Sequence, residues 1–180
     1  MKKLINPKTN AYLECKRNIL CDNFPWYFQP YFTVREEDNG IVNKNVKEEN
    51  YSNPSFYGHQ FLGRPIPSRK YSITNSPYIG YVTEVLDEIF EYNKIEVNCI
   101  YRINANMVFP VKGKQSTVPH TDHPFPHKNL IIYLTDAGGE TVCGLRKHKP
   151  KEDDIITFKG QHYNNAPLTS RRVILLCTYI

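Results

Sequence analysis

His120 and Asp122 stand two residues apart in the run Val118-Pro119-His120-Thr121-Asp122-His123-Pro124. On an extended chain such residues face the same side, so an imidazole and a carboxylate can converge on one ion. An HxD pair needs a third ligand, and the remaining histidines are His59, His123, His127, His148 and His162. His162 is the best placed of these. It follows the strand-like run Asp154 to Lys159 and Gly160, and the basic pair Arg171-Arg172 comes soon after it. Two imidazoles and one carboxylate on one face of an ion leave coordination positions open, a donor set that favours non-haem Fe(II) and oxygen chemistry. The expected metal ligands, and with them the catalytic residues, are His120, Asp122 and His162.

The other polar signals have plainer readings. His123 and His127 have the spacing of a helical metal pair, but Pro124 and Pro126 forbid the helix. They are expected to flank the mouth of the site or to back its ligands. His59 and His148 have no evident partner in the sequence and default to the surface. Gly138-Gly139 suits a hairpin turn, where residues must tolerate positive φ. The run Arg146 to Lys151 reads as a solvated loop between two strands. Asn104 and Asn106 either face the site or satisfy backbone groups.

The elements that must position these residues change character along the chain. One helix is expected from Pro77 to about Asn93, where Ile79, Val82, Val85, Leu86, Ile89 and Phe90 recur at three and four residues. Ser76 is its expected N-cap, with proline at the first helical position. After it come short β-branched or aromatic runs: 97–104, 130–134, 141–145, 155–158 and 173–180, each bounded by Gly, Pro, Asn or Asp. Strands at this spacing without helices between them indicate a β-barrel or sandwich, with the helix packed outside it. The first half is turn-rich and aromatic, notably Phe24 to Phe32, where prolines 25 and 30 interrupt any helix. Arg35 to Asn53 is charged and Asn-rich, the pattern of a long loop, and Gly63 to Pro67 is another irregular connection.

Composition bounds the rest. At 180 residues and 40% hydrophobic, the chain forms one domain, 1–180, with a single core. No stretch approaches the ~20 apolar residues of a membrane span, and the basic start lacks the apolar segment of a secretory signal. Five cysteines without a CxxC pair read as a reducing, cytoplasmic protein, free of a disulfide framework or a thiolate zinc site. The net charge of +5 falls entirely in residues 101–180, which hold 11 Lys/Arg against 6 Asp/Glu; residues 1–100 hold 12 of each. Anionic partners are therefore expected at the second half.

In order and spacing, residues 95–180 resemble the double-stranded β-helix core of the Fe(II)/2-oxoglutarate-dependent oxygenases, nearest to the prolyl-4-hydroxylase-like branch. The resemblance runs through His120-Thr121-Asp122, Ile132 to Asp136, Gly138-Gly139-Glu140-Thr141, Ile156-Thr157-Phe158, Gly160, His162, Pro167, and Arg172 ten residues after His162. It implies a mainly β jelly-roll, cupin-like barrel: a catalytic core over 95–180, with 1–94 as an irregular support and substrate-side region around the 77–93 helix. It also implies Fe(II), 2-oxoglutarate and O2, with ascorbate as an optional reductant, and release of succinate and CO2 as an aliphatic carbon is hydroxylated. By the same resemblance Arg172 pairs with the distal carboxylate of 2-oxoglutarate through its guanidinium fork, and Tyr133 offers its hydroxyl to the same group. Arg171 competes with Arg172 for that role. Ile174 departs from the family, where a small polar residue is common, and Tyr133 has a bland reading as an inward core aromatic.

A prolyl or other amino-acid side chain of a protein or peptide is the substrate the branch implies. Trp26, Tyr27, Phe28, Phe56 and Tyr57 either line a groove for it or pack against the barrel. The alternatives are an oxygenase acting on a nucleic-acid base or a free small molecule, and a non-catalytic cupin-like metal-binding module. The compact size resembles small microbial or viral oxygenases, in the latter case working in the host cytoplasm.

Overall fold

The computed structural model describes residues 1–30, 41–42, 54–66, 68–113 and 116–180. The elements, in chain order, are β1 (Lys2–Leu4), α1 (Asn10–Leu20), β2 (Tyr27–Gln29), β3 (Ile41–Val42), β4 (Phe56–Gly63), β5 (Ile73–Thr74), α2 (Ile79–Tyr92), β6 (Ile100–Val108), β7 (His120–Thr121), β8 (Lys128–Tyr133), β9 (Thr141–Cys143), β10 (Arg146–His148), β11 (Ile155–Lys159), β12 (His162–Asn164) and β13 (Arg172–Tyr179). They pair antiparallel into two sheets. One has the order β1-β11-β8-β13-β6-β4-β2 with β5 beside β4, and the other the order β10-β9-β12-β7-β3. From β6 onward the chain passes back and forth between the sheets, which is the double-stranded β-helix.

Burial on both faces explains why the central strand reads as one apolar run. Every residue of β13 is buried, because both faces of its sheet are covered. Val173, Leu175, Cys177 and Tyr179 join the core shared with α1 and α2. Ile174 and Leu176 instead join Ile131, Tyr133, Ile156 and Phe158 in a second cluster between the sheets. The inward face of β6 follows by register, since Asn106 pairs with Ile174 and Asn104 with Leu176.

The expected helix forms as α2, buried through Val82, Val85, Leu86, Ile89 and Phe90. It begins later than Pro77, at Ile79; the Ser76 hydroxyl accepts from the Tyr78 amide at 3.2 Å and also meets His59 Nε2 at 2.8 Å. The first half also carries regular structure beyond that support helix. α1 is capped by Thr9, whose side chain accepts from the Tyr12 amide, and it buries Tyr12, Cys15 and Ile19 at helical spacing. β4 pairs with β6 and β2 with β4, so residues before 95 widen the same sheet.

Two surface assignments fail. His59 is buried, with Nδ1 donating to the Pro25 carbonyl at 2.7 Å, inside a cage of Phe24, Tyr27, Phe61 and Tyr78. His148 stands 3.2 Å from Asp154, its ring near Tyr133. The basic run begins as strand rather than loop, since Arg146–His148 pair with Cys143–Thr141. The Arg35–Asn53 segment lies outside the described residues except for Ile41–Val42, whose backbone pairs with Thr121 and His120. No helix among the described residues is long and apolar enough to cross a membrane, and all five cysteines are free.

Candidate metal centre

β7 and β12 lie side by side with His120 directly opposite His162. That register brings the two imidazoles to a centroid separation of 4.6 Å. Asp122, just past β7, turns to the same side as His120, as the two-residue period requires. One donor atom from each of His120, Asp122 and His162 lies within 4.8 Å of the others, and all three residues are buried.

The donors are prepared for a cation. His120 Nδ1 donates to the Val118 carbonyl at 2.8 Å, which fixes the ring orientation and leaves the lone pair on Nε2. Burial pushes the His162 imidazole down to about 4, with His120 adding to the shift and Asp122 opposing it. It is therefore a neutral ligand at neutral pH. Burial works against the Asp122 charge, yet His162, Arg102, His120 and Arg64 together hold its carboxyl well below the usual carboxylate range. Asp122 Oδ1 takes an ion pair from Arg102 at 3.0 Å, while Oδ2 is buried without a hydrogen-bond partner, 3.7 Å from His162 Nε2. A buried carboxylate oxygen left unpaired is costly. A divalent cation among these atoms removes that cost, so the residues fit the metal.

At the start of β13, Arg172 is buried, 3% exposed. Its Nη1 donates to the carbonyls of Gly139 at 3.0 Å and Asn165 at 2.9 Å. Burial lowers its pKa, with Tyr133 opposing the shift. Beside it, Ile174 pairs with Tyr133, whose hydroxyl donates to Thr141 at 2.7 Å, and Thr141 in turn donates to Asn164 at 2.6 Å. Burial pushes the Tyr133 phenol up to about 12, keeping it a neutral donor. Arg171 points the other way, toward the Leu20 carbonyl. The turn Gly138-Gly139 has positive φ at both residues, and a Cβ on Gly139 would meet the Ala166 carbonyl oxygen at 2.6 Å.

The remaining signals resolve as follows. His123 and His127 are buried: His123 Nε2 lies 2.7 Å from Thr178 Oγ1, and His127 Nδ1 donates to the Phe125 carbonyl. Both line a cavity of about 880 Å³ that also touches Thr121 and Gly160. Asn104 donates to Asn106 at 2.5 Å. With Tyr27, Gln29, Phe56 and Arg64 they line a second cavity of about 270 Å³, reaching Arg102. Of the aromatic stretch, Trp26 packs on the core, while Phe28 and Tyr57 form an exposed pair. Sequence reasoning missed Arg102 and Arg64, because their partner Asp122 is 20 and 58 residues away.

No family model and no curated relative matches the chain. Among solved structures it is similar to a 2OG-Fe(II) oxygenase-family oxidoreductase from Burkholderia pseudomallei, with TM-score 0.56 and 11% identity over 99% of this chain and 95% of that one. A prolyl hydroxylase from Trichoplax adhaerens, solved with a hypoxia-inducible-factor peptide fragment, aligns with TM-score 0.46 and 12% identity over 97% and 94%. The likeness to the Burkholderia protein spans both sheets and the helices, and the chain thus has the double-stranded β-helix fold of the 2OG-Fe(II) oxygenases.

Proposed function

We propose that the chain is an Fe(II)- and 2-oxoglutarate-dependent dioxygenase that hydroxylates an aliphatic carbon, a prolyl or other amino-acid side chain of a protein or peptide. The observation that carries this reading is the buried His120–Asp122–His162 set with its unpartnered carboxylate oxygen. When bound, iron with 2-oxoglutarate and oxygen supplies oxidative decarboxylation to succinate and CO2 and the oxidation of a C–H bond. His120 Nε2, Asp122 Oδ2 and the His162 imidazole would hold the metal. Arg172, a buried cation whose partners among the described residues are two carbonyls, would take the far carboxylate of 2-oxoglutarate, and Tyr133 would turn its hydroxyl from Thr141 to the same group. The apolar walls of Ile131, Ile156, Phe158, Ile174 and Leu176 exclude water between the sheets. A cupin-like binding module has no use for the buried Arg172.

In this division residues 95–180 carry the chemistry. Residues 1–94 supply support and, through Tyr27, Gln29 and Phe56, part of the substrate side. The test is 2-oxoglutarate consumption with Fe(II), with panels of peptides and of nucleosides in parallel. Hydroxylated peptide at one product per succinate supports the proposal. Modified base, with binding that weakens steeply as salt rises, would replace the peptide by a nucleic acid. No succinate from any panel would end the oxygenase reading.

A further inference from the structure

We infer that Arg102 is a positioning residue that confines Asp122 to a single ligand oxygen and so keeps a coordination position open for the cosubstrate; this rests on the metal-centre reading above. A carboxylate can bind a metal through one oxygen or through both. Binding through both would occupy a position that a chelating keto acid requires.

The geometry removes that choice. Arg102 Nη1 holds Oδ1 at 3.0 Å in a pair whose side chains are 14% and 4% exposed, so solvent screens it little. Arg64 Nη1 donates to the carbonyl of the same residue at 3.2 Å, tethering its backbone as well as its side chain. Only Oδ2 is left, without a partner and turned toward His162. For Oδ1 to swing to the ion, a buried guanidinium would have to give up its carboxylate, and leaving one member of a buried pair alone is strongly unfavourable. The placement of Arg102 follows from strand register. It shares the inward face of β6 with Asn104 and Asn106, opposite Thr178.

Arg102→Met keeps bulk and removes the clamp. Mn(II) is the metal probe, its binding followed by loss of the free-ion EPR signal; 2-oxoglutarate binding to the Mn(II)-saturated protein is measured by calorimetry without oxygen. The variant is expected to keep Mn(II) within about threefold of wild type or bind it more tightly. Its affinity for 2-oxoglutarate should fall by about tenfold or more. Arg102→Lys, which keeps the charge but not the fork, should lose less. Where Arg102→Met does not fold, Arg102→Gln is read by the same standard. Unchanged 2-oxoglutarate affinity would overturn the inference, and so would a parallel loss of both affinities, the mark of a merely structural residue. A wild-type chain that binds no Mn(II) would overturn the metal-centre reading instead, before any variant is compared.

Discussion

Arg172 is the side chain whose surroundings ask most plainly for a missing anion. A guanidinium inside a barrel, bonded to two main-chain carbonyls, has hydrogen bonds but no ion pair among the described residues. Charge-assisted bonds of this kind are worth roughly 1.5–3 kcal/mol. Arg172→Met is therefore expected to weaken 2-oxoglutarate binding by roughly ten- to a hundredfold, read by calorimetry on metal-loaded protein. Tyr133→Phe removes one neutral donor and should cost roughly fivefold in the same titration. How far these residues were legible in the sequence follows from the range of their interactions. The HxD pair shows its geometry locally, because a two-residue period puts both side chains on one face. His162 was legible only through its flanks, since its place opposite His120 is a register between strands 42 residues apart. His59 was misread as a surface residue because Pro25 and Ser76, which meet its two ring nitrogens, lie 34 and 17 residues away.

At the scale of elements, the Gly138-Gly139 turn does more than reverse the chain. The carbonyls of Gly139 and Asn165 are the acceptors for Arg172, and a Cβ on Gly139 would approach the Asn165 carbonyl oxygen at 2.7 Å. Gly139→Ala should cost about 2 kcal/mol or more and weaken 2-oxoglutarate binding with it. Gly160→Ala has a similar positive φ but open space around it, so denaturant melts should show only the backbone cost of about 1–2 kcal/mol. A second element-scale device joins α1 to the loop before β11: Asp153 accepts from Tyr12 at 2.5 Å, Lys16 at 2.6 Å and Lys8 at 2.8 Å. Burial opposes its charge, but these donors hold its carboxyl down to about 2. A depressed carboxylate stabilises the fold above its unfolded pKa of about 3.9, and that contribution fades as pH falls toward 2. Asp153→Asn should lower stability at neutral pH and flatten its dependence over that acid window, measured by urea melts across pH. Asparagine tolerates the positive φ of this position. The shape of α1 was available in the sequence, in Thr9 and the Tyr12, Cys15, Ile19 stripe, but its polar face masks it beside the stronger signal of α2.

Over the whole molecule, two apolar clusters built from side chains other than His120, Asp122 and His162 form the core. α1, α2 and the outer sheet face form the larger cluster, and the interior of the barrel forms the smaller. Metal-free protein should accordingly stay folded. Binding of Mn(II) at a hundred times its dissociation constant should add about 2.7 kcal/mol, a rise of roughly 5–10 °C in Tm that His120→Ala abolishes. The alternating apolar runs after residue 97 made a β-barrel legible. The pairing of β2, β4 and β5 onto it was not, because the prolines that flank them and the glycines and polar residues within β4 look like loop until β6 gives them an edge. The +5 charge also changes meaning at this scale: Arg172 and Arg102 are spent inside the barrel rather than on a surface. The most direct measurement is anaerobic calorimetry of 2-oxoglutarate into the wild-type chain with and without Fe(II). One equivalent bound only when iron is present, and none in Asp122→Ala, is the predicted result. Binding that ignores the metal, or no binding at all, would contradict the account.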